Sequence, residues 1–423
     1  MSECRRRLEL FVLGGCAFIL TQAILSLVLS PGDTPTEGNP IWKLILSLSY
    51  LGVAAILLLH YRDTLFVIRR NWFLVALVLL APVSCWWAAT PALVLQRSTA
   101  VLGTTLLGVA LAVRLSLEEQ LRLMIWVFRL IAVLSLACVL LLPSYGISDS
   151  PDSHGEWQGI FSHKNGLGSV MALSVLAEWQ LPASTRRSTV TKRLATLLST
   201  VLLVFSGSLT PALALVCSLL FIEVFKFATQ RLRIPLYAIA CGGVLIIASG
   251  VTVLLVDSDR IASVLGRSSD LTGRTEIWRL VTPYIRERPI LGYGYSGFWS
   301  GASPESETID RAMGIEVMYS HNGYLEMFLT LGAVGFLFTL GFLATGIKRA
   351  LSMGQRVVSE VHLWPLAFLS FFLLRNLAEC TILLQNLEWA LCVAVVLRTD
   401  SALFAPRAEQ EEAFLLLPSE ELT

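Results

Sequence analysis

Long apolar runs separated by short polar stretches set the rhythm of this chain. The runs fall at roughly 8–30, 41–60, 72–89, 93–113, 121–142, 159–180, 193–207, 210–226, 234–256, 322–345, 361–380 and 382–398. A helix needs about 20 apolar residues to cross the hydrocarbon core of a bilayer, so the pattern predicts an all-α chain of about twelve transmembrane helices. The pair 193–207 and 210–226 could be one run. Ser206-Gly207-Ser208 and Pro211 interrupt it, and splitting it keeps basic charge alternating on both sides. The predicted organisation is nine spans in 1–256, a large outer loop in 257–321, three spans in 322–398 and a tail in 399–423.

Charge supplies an orientation. With the N-terminus inside, the inner loops hold Arg62, Arg69, Arg70, Arg114, Arg122, Arg186, Arg187, Lys192, Arg193, Lys226, Arg231, Arg233, Lys348, Arg349 and Arg356, while 31–40 and 143–158 contain no Lys or Arg. That asymmetry is the positive-inside pattern, and it predicts that both termini are cytoplasmic. Arg5-Arg6-Arg7 precede an apolar run longer than a signal-peptide core, and no small-residue cleavage site follows, so this run reads as the first span.

Composition agrees. Of 423 residues, 55% are hydrophobic and 15% charged, the net charge is +1, and mean hydropathy is +0.69. These values exclude a disordered chain, a nucleic-acid binder relying on global basic charge and an ordinary cytosolic enzyme. The eight cysteines have no regular spacing, so they suggest neither a disulfide framework nor a thiolate metal site. His154 with Asp149 and Asp152 matches no familiar metal-ligand spacing. Neither a phosphate-binding Walker loop nor a dinucleotide-binding glycine pattern is present.

The loop 257–321 carries Arg260, Arg267, Arg274, Arg279, Arg286, Arg288 and Arg311. These arginines either pair with local acids such as Asp259, Asp270, Glu276 and Glu287 or face an anionic ligand. Apolar residues at helical spacing predict a helix over 275–287, capped by Thr272 or Gly273 and ended by Pro289. Arg274 would then occupy a first turn, where backbone N–H groups and the helix dipole favour an anion.

Other polar groups cluster at the predicted outer face. Ser320-His321-Asn322-Gly323-Tyr324 lies where the loop re-enters the membrane. His321 there is either a proton acceptor or a capping residue. Gly332 and Gly335 further along suggest close helix packing. Ser162-His163-Lys164-Asn165-Gly166 opens the sixth span, where Lys164 either snorkels or meets a phosphate or sugar. Arg97, Arg375 and Glu379 sit inside spans, where charge is costly and functional or paired; Arg375 and Glu379 are spaced to pair on one helix face. Tyr293, Tyr295, Phe298 and Trp299 either pack on sugar faces or form an interfacial belt.

Together these motifs resemble the O-antigen ligase/polymerase family. The resemblance rests on Leu271-Thr272-Gly273-Arg274-Thr275-Glu276-Ile277-Trp278, on Arg288-Pro289-Ile290-Leu291-Gly292-Tyr293-Gly294, and on His321-Asn322 followed by Gly332-Ala333-Val334-Gly335. The stretch Gly159-Ile160-Phe161-Ser162-His163-Lys164-Asn165-Gly166-Leu167-Gly168 is similar to the exopolysaccharide-polymerase branch, the ExoQ-like proteins. The resemblance implies a GT-C-like fold of twelve spans in the bacterial inner membrane. It implies a glycosyltransferase joining oligosaccharides carried on undecaprenyl diphosphate, with neither metal nor cofactor. Membrane lipid and chain-length and export proteins would be its partners. It places Arg274 on the diphosphate and His321 as base. Lys164, His163, Asn165, Arg97, Arg267, Asn322, Arg375 and Glu379 are candidates for substrate binding. In one place the sequence departs from the family pattern: Ser206-Gly207-Ser208-Leu209-Thr210 has Leu209 where the family often has a cation, and Lys164 is the first candidate to replace it. The alternatives are a ligase moving glycan to a lipid or protein, and a transporter of lipid-linked oligosaccharide.

Overall fold

A computed structural model describes residues 3–23, 39–150, 153–229, 270–299, 303–356 and 359–400. Among these residues the chain is helical, without strands. In order come α1 (Glu3–Leu20), α2 (Pro40–Leu59), α3 (Tyr61–Arg69), α4 (Trp72–Val83), α5 (Pro91–Arg114), α6 (Leu117–Leu141), α7 (Pro143–Gly146), α8 (Lys164–Gln180), α9 (Arg186–Phe205), α10 (Leu209–Phe227), α11 (Asp270–Glu287), α12 (Pro304–Met313), α13 (Gly323–Arg356), α14 (Glu360–Arg375) and α15 (Leu387–Arg398). Local chemistry sets several of the starts. Asn39 caps α2 ahead of Pro40, Ser116 and Glu119 form a capping box on α6, and Asn386 accepts from Trp389 N to open α15. Each satisfies N–H groups that a helix start leaves orphaned.

The predicted span 234–256 and residues 257–269 of the predicted loop lie outside the described residues. Every other predicted span contains a helix. Six of these, α2, α5, α6, α9, α10 and α13, are long and apolar enough to cross a membrane, and α3 with α4 form one more such length bent by 94°. The helix α3 falls where the sequence suggested only an inner loop. Apolar side chains cover the outsides of α2 (Leu44, Leu48, Leu51) and α9 (Leu194, Leu197, Val204), as expected of helices facing lipid. This is a multi-pass membrane protein.

The helices α8, α14 and α15 are shorter than their predicted spans, with 17, 16 and 12 residues. They occupy the interior and are buried almost all round. Non-helical backbone is tolerated at depth where protein surrounds it, so helices can stop early. α14 ends at Arg375, which removes Glu379 from the predicted span 361–380 and puts it in the loop 376–386. α9 and α10 do separate at Ser206-Gly207-Ser208, with Gly207 at φ +63°.

Gly332 does not pack two helices together. It breaks α13, with φ 63° and ψ −164°. The segment after α11 fills the break. Tyr293 N and Gly294 N donate to Leu329 O and Thr330 O at 2.9 and 2.8 Å, and Ala333 N and Val334 N donate to Pro289 O and Ile290 O at 2.8 and 3.2 Å. The groups freed by the break therefore find partners, as buried backbone must.

The aromatic residues after Gly292 form neither a sugar platform nor a belt. Tyr293, Phe298 and Trp299 are buried with Ile277, Val281, Ile309, Val317 and Leu329 in a second core. Tyr293 and Trp299 meet Phe298 edge-on, with centroids 5.0 and 4.8 Å away. Tyr295 is buried in the main core, and its hydroxyl donates to Leu383 O at 2.6 Å. This second core carries α11 and α12 as a folded unit against α13.

A Cβ at Gly332 would overlap Ile290 O, and its backbone region is nearly restricted to glycine. Gly332→Ala is expected to lose roughly 1–3 kcal/mol to backbone strain alone and more through the displaced insertion. Gly15→Ala, where a Cβ meets open space, should be near neutral. Thermal unfolding of the two purified variants checks this; an unchanged transition for Gly332→Ala would contradict it.

Candidate functional site

The short interior helices leave their ends around one carboxylate. Glu379 is 7% exposed and sits in the loop between α14 and α15. Its Oε1 accepts from Arg274 Nη2 on α11 at 2.9 Å and from Asn165 Nδ2 at the start of α8 at 3.4 Å. Its Oε2 lies 3.7 Å from His321 Nδ1. Three segments distant in sequence thus converge on one side chain of a fourth.

Backbone bonds fix that loop. Gly323 N donates to both Asn376 O and Glu379 O at 2.9 Å. Asn322 Nδ2 donates to Leu377 O at 3.1 Å, while Asn322 Oδ1 accepts from Tyr324 N and Leu325 N. Asn322 is therefore the cap of α13 and the tie between the two loops. Asn376 Oδ1 accepts from Thr381 N and Ile382 N, which closes the turn around Glu379. His321 is held at φ +51°, a left-handed conformation that costs a non-glycine residue free energy. Its ring centroid lies 4.5 Å from that of Tyr319.

Arg274 is 8% exposed. The helix carrying it already includes Asp270, so Arg274 does not stand in a first turn and the expected help from a helix terminus is absent. Position on the helix face matters instead. One turn on, Trp278 Nε1 donates to Ser320 O at 2.9 Å, and residues four apart share a face. That contact presses the Arg274 face against the His321 segment. Arg274 Nη1 also reaches Thr210 Oγ1 at 3.4 Å.

The turn between α9 and α10 belongs to the same cluster. Ser208 Oγ lies 3.1 Å from both Lys164 O and Asn165 Oδ1. Lys164 Nζ pairs with Glu156 at 2.7 Å, and a Cβ on Gly207 would overlap Glu156 Oε1. Leu209 is half-buried beside Thr210. Lys164 therefore stands next to the turn where the usual cation is missing.

The remaining candidates separate. His163 caps α8, its Nδ1 accepting from Asn165 N at 3.2 Å. Arg97 donates to Ser296 O at 2.7 Å and anchors the aromatic segment. Arg267 lies outside the described residues. The side-chain pairing expected between Arg375 and Glu379 does not form: Glu379 N still donates to Arg375 O at 3.0 Å, but the Glu379 carboxylate turns to Arg274. Arg375 instead lies 3.1 Å from Glu388. Sequence reasoning did not find Glu156 or Glu388, and it noted the Ser206–Thr210 turn for Leu209 without assigning a role to Ser208 or Thr210. Glu388 sits inside an apolar run and could have been flagged by its cost there.

Burial alone would raise the Glu379 carboxyl. His321 and the charges of Arg274 and Arg375 outweigh it and hold the group at about 2, against an ordinary 4.5. Burial also pushes the Tyr319 hydroxyl and the Cys380 thiol upward. Glu379 is thus an anion at neutral pH, matched to Arg274.

Because the folded value is depressed, Glu379 stabilises the fold fully above pH 4.5, and that contribution is lost as pH falls through about 2. Its full size is on the order of 3 kcal/mol. Thermal unfolding of wild type is expected to fall more steeply between about pH 6 and pH 3 than that of Glu379→Gln. Equal slopes would show that the carboxyl is not held low.

Residues 194–340 match the model of the O-Antigen ligase family. That segment includes Thr210, Arg274, His321 and the break at Gly332, while Lys164, Asn165 and Glu379 lie outside it. The chain is 25% identical over 332 residues to the exopolysaccharide production protein ExoQ of Rhizobium meliloti (strain 1021), a match covering 72% of each chain. The chain is thus similar to the O-Antigen ligase family over residues 194–340, in agreement with the resemblance read from its motifs.

Proposed function

We propose that this protein polymerises oligosaccharide repeat units carried on undecaprenyl diphosphate, at the outer face of the bacterial inner membrane. The observation that carries this reading is the convergence of Arg274, His321 and Asn165 on Glu379. The name of the similar ExoQ protein favours exopolysaccharide production; the family description favours transfer to a separate acceptor, and ligation is the second reading. Twelve spans with both termini cytoplasmic are part of the proposal, as is association with chain-length and export proteins.

The chemistry uses residues in distinct roles. Glu379 lies on the Nδ1 side of His321, which favours a proton there and leaves Nε2 as the acceptor. The acceptor sugar hydroxyl gives its proton to Nε2 as its oxygen bonds to the anomeric carbon of the donor. The bond from that carbon to the phosphate oxygen breaks, and the diphosphate-lipid leaves with the electron pair. Arg274 holds the leaving diphosphate. Its guanidinium offers a planar fork of donors, of which Glu379 and Thr210 engage only part. Fixed cations near a departing anion lower the barrier. Lys164, beside the turn where Leu209 replaces a cation, supplies a second positive group. In the proposed reaction the cations of Arg274 and Lys164 meet the charge of the departing diphosphate, the part a metal would otherwise play.

Purified protein given undecaprenyl-diphosphate repeat units and no other acceptor is expected to yield a glycan ladder on a gel, unchanged by chelator. Folded His321→Ala should yield none. Arg274→Lys should slow ladder formation by about 10²-fold, since a point charge cannot reproduce the fork. A ladder from His321→Ala would remove that residue from the mechanism. No ladder from folded wild type, with transfer restored by a lipid or protein acceptor, would establish the ligase.

A further inference from the structure

The other end of α8 opens on a second polar feature. Seventeen residues of helix span about 25 Å, close to the roughly 30 Å of a hydrocarbon core. The two ends of α8 therefore lie near the two faces of the membrane. At the end away from Glu379 is a cavity of about 340 Å³ between α6, the end of α8 and the start of α9. Arg122 and Arg129 of α6, Arg187 and Lys192 of α9, and one carboxylate, Glu178 of α8, line it.

The charges there do not balance. Glu178 is taken by Arg129, with bonds of 2.6 and 3.0 Å. Lys192 Nζ donates to Leu181 O at 2.8 Å and so stays positive. Arg122 pairs with Glu118 at the exposed surface, a weak interaction in water. Among the described residues Arg187 makes no ion pair. The cavity therefore has the charge and size for a phosphate group.

Its surroundings select the source. Trp126, 71% exposed, stands in the cavity wall, and an indole of that kind marks a membrane interface. From it an exposed apolar face continues along α6 through Leu130 and Val133, and along α9 through Val190 and Leu194. A soluble phosphate would use the cations and leave these faces idle. A phospholipid uses both. We propose that this cavity binds the phosphodiester headgroup of an anionic phospholipid, whose acyl chains lie along the outer faces of α6 and α9. This site is separate from the Glu379 cluster, and the proposal does not depend on glycosyl transfer.

The test is native mass spectrometry of the full-length, delipidated protein, titrated with phosphatidylglycerol or with phosphatidylcholine of the same chains. Phosphatidylglycerol is expected to bind at least about fivefold tighter. Arg122→Gln and Arg187→Gln, on different helices and both exposed in the native chain, should each weaken it by about fivefold and leave phosphatidylcholine unchanged. Millimolar glycerol phosphate should not displace it. Equal binding of the two lipids, or phosphatidylglycerol binding unaltered in both folded variants, would overturn the proposal. Displacement by glycerol phosphate would also overturn it, assigning the cavity to a soluble phosphate.

Discussion

Buried backbone must be hydrogen-bonded, and in this protein that constraint decides where a site can exist. In an apolar interior a helix satisfies itself, whereas any departure from helix has to find partners. The chain departs from helix at the 206–208 turn, at Gly332 and over 376–386, and the last two departures are repaired by another part of the chain. The Gly332 break is repaired by residues 289–294, and the 376–386 loop by Gly323 and Asn322. The repairs bring α11 and the 319–322 segment against the ends of α8 and α14, and so place Arg274, His321 and Asn165 around Glu379. The cluster is a consequence of how the interruptions are satisfied.

Electrostatics then stabilises what the backbone assembles. A buried carboxylate is costly unless cations and donors surround it, and Glu379 has both. Arg375 with Glu388 and Lys164 with Glu156 repeat the arrangement nearby. Removing one member of such a pair leaves its partner charged and buried, which is worse than never having had the pair. The cluster is therefore rigid in charge as well as in shape, which suits groups that must act from fixed positions.

Much of this was legible in the sequence, for identifiable reasons. Long apolar runs located the helices, because hydrophobicity is what a spanning helix requires. Arg274, His321, Asn165 and Glu379 were all singled out: Arg274 and His321 by their place in and beside the outer loop, Asn165 by the polar triplet that opens a span, and Glu379 as a charge inside an apolar run. Helix ends were not legible where the loop is itself apolar: Leu377, Ala378, Ile382 and Leu383 continue the hydropathy of α14, and nothing in them announces that the helix stops at Arg375. The spacing of Arg375 and Glu379 suggested a pair, but the two side chains turn to Glu388 and Arg274 on other segments. Gly332 read as a packing glycine because its need for positive φ becomes visible only with the inserted 289–294 segment beside it. The aromatic run read as a surface because sequence does not show that Ile277, Val281 and Ile309 would cover it.

The two ends of the interior bundle now contrast in a way that bears on how each would treat an anion. Around Glu379, Arg274, Arg375 and Lys164 each already pair with a carboxylate, so an incoming anion gains only by supplying more charge than the carboxylate it competes with. A diphosphate satisfies that condition and a single carboxylate does not. The cluster thus discriminates against weak anions at some expense in affinity, which fits a group that must be held during bond cleavage and released afterwards. At the far end of α8, Arg187 has no acidic partner among the described residues, and the cavity wall holds four cations against one carboxylate. A singly charged phosphodiester gains there from Arg187 without displacing a buried carboxylate, and no release step is needed. On the proposed readings, one bundle would hold a charge-matched site suited to turnover at one end of α8 and an unmatched site suited to a resident ligand at the other.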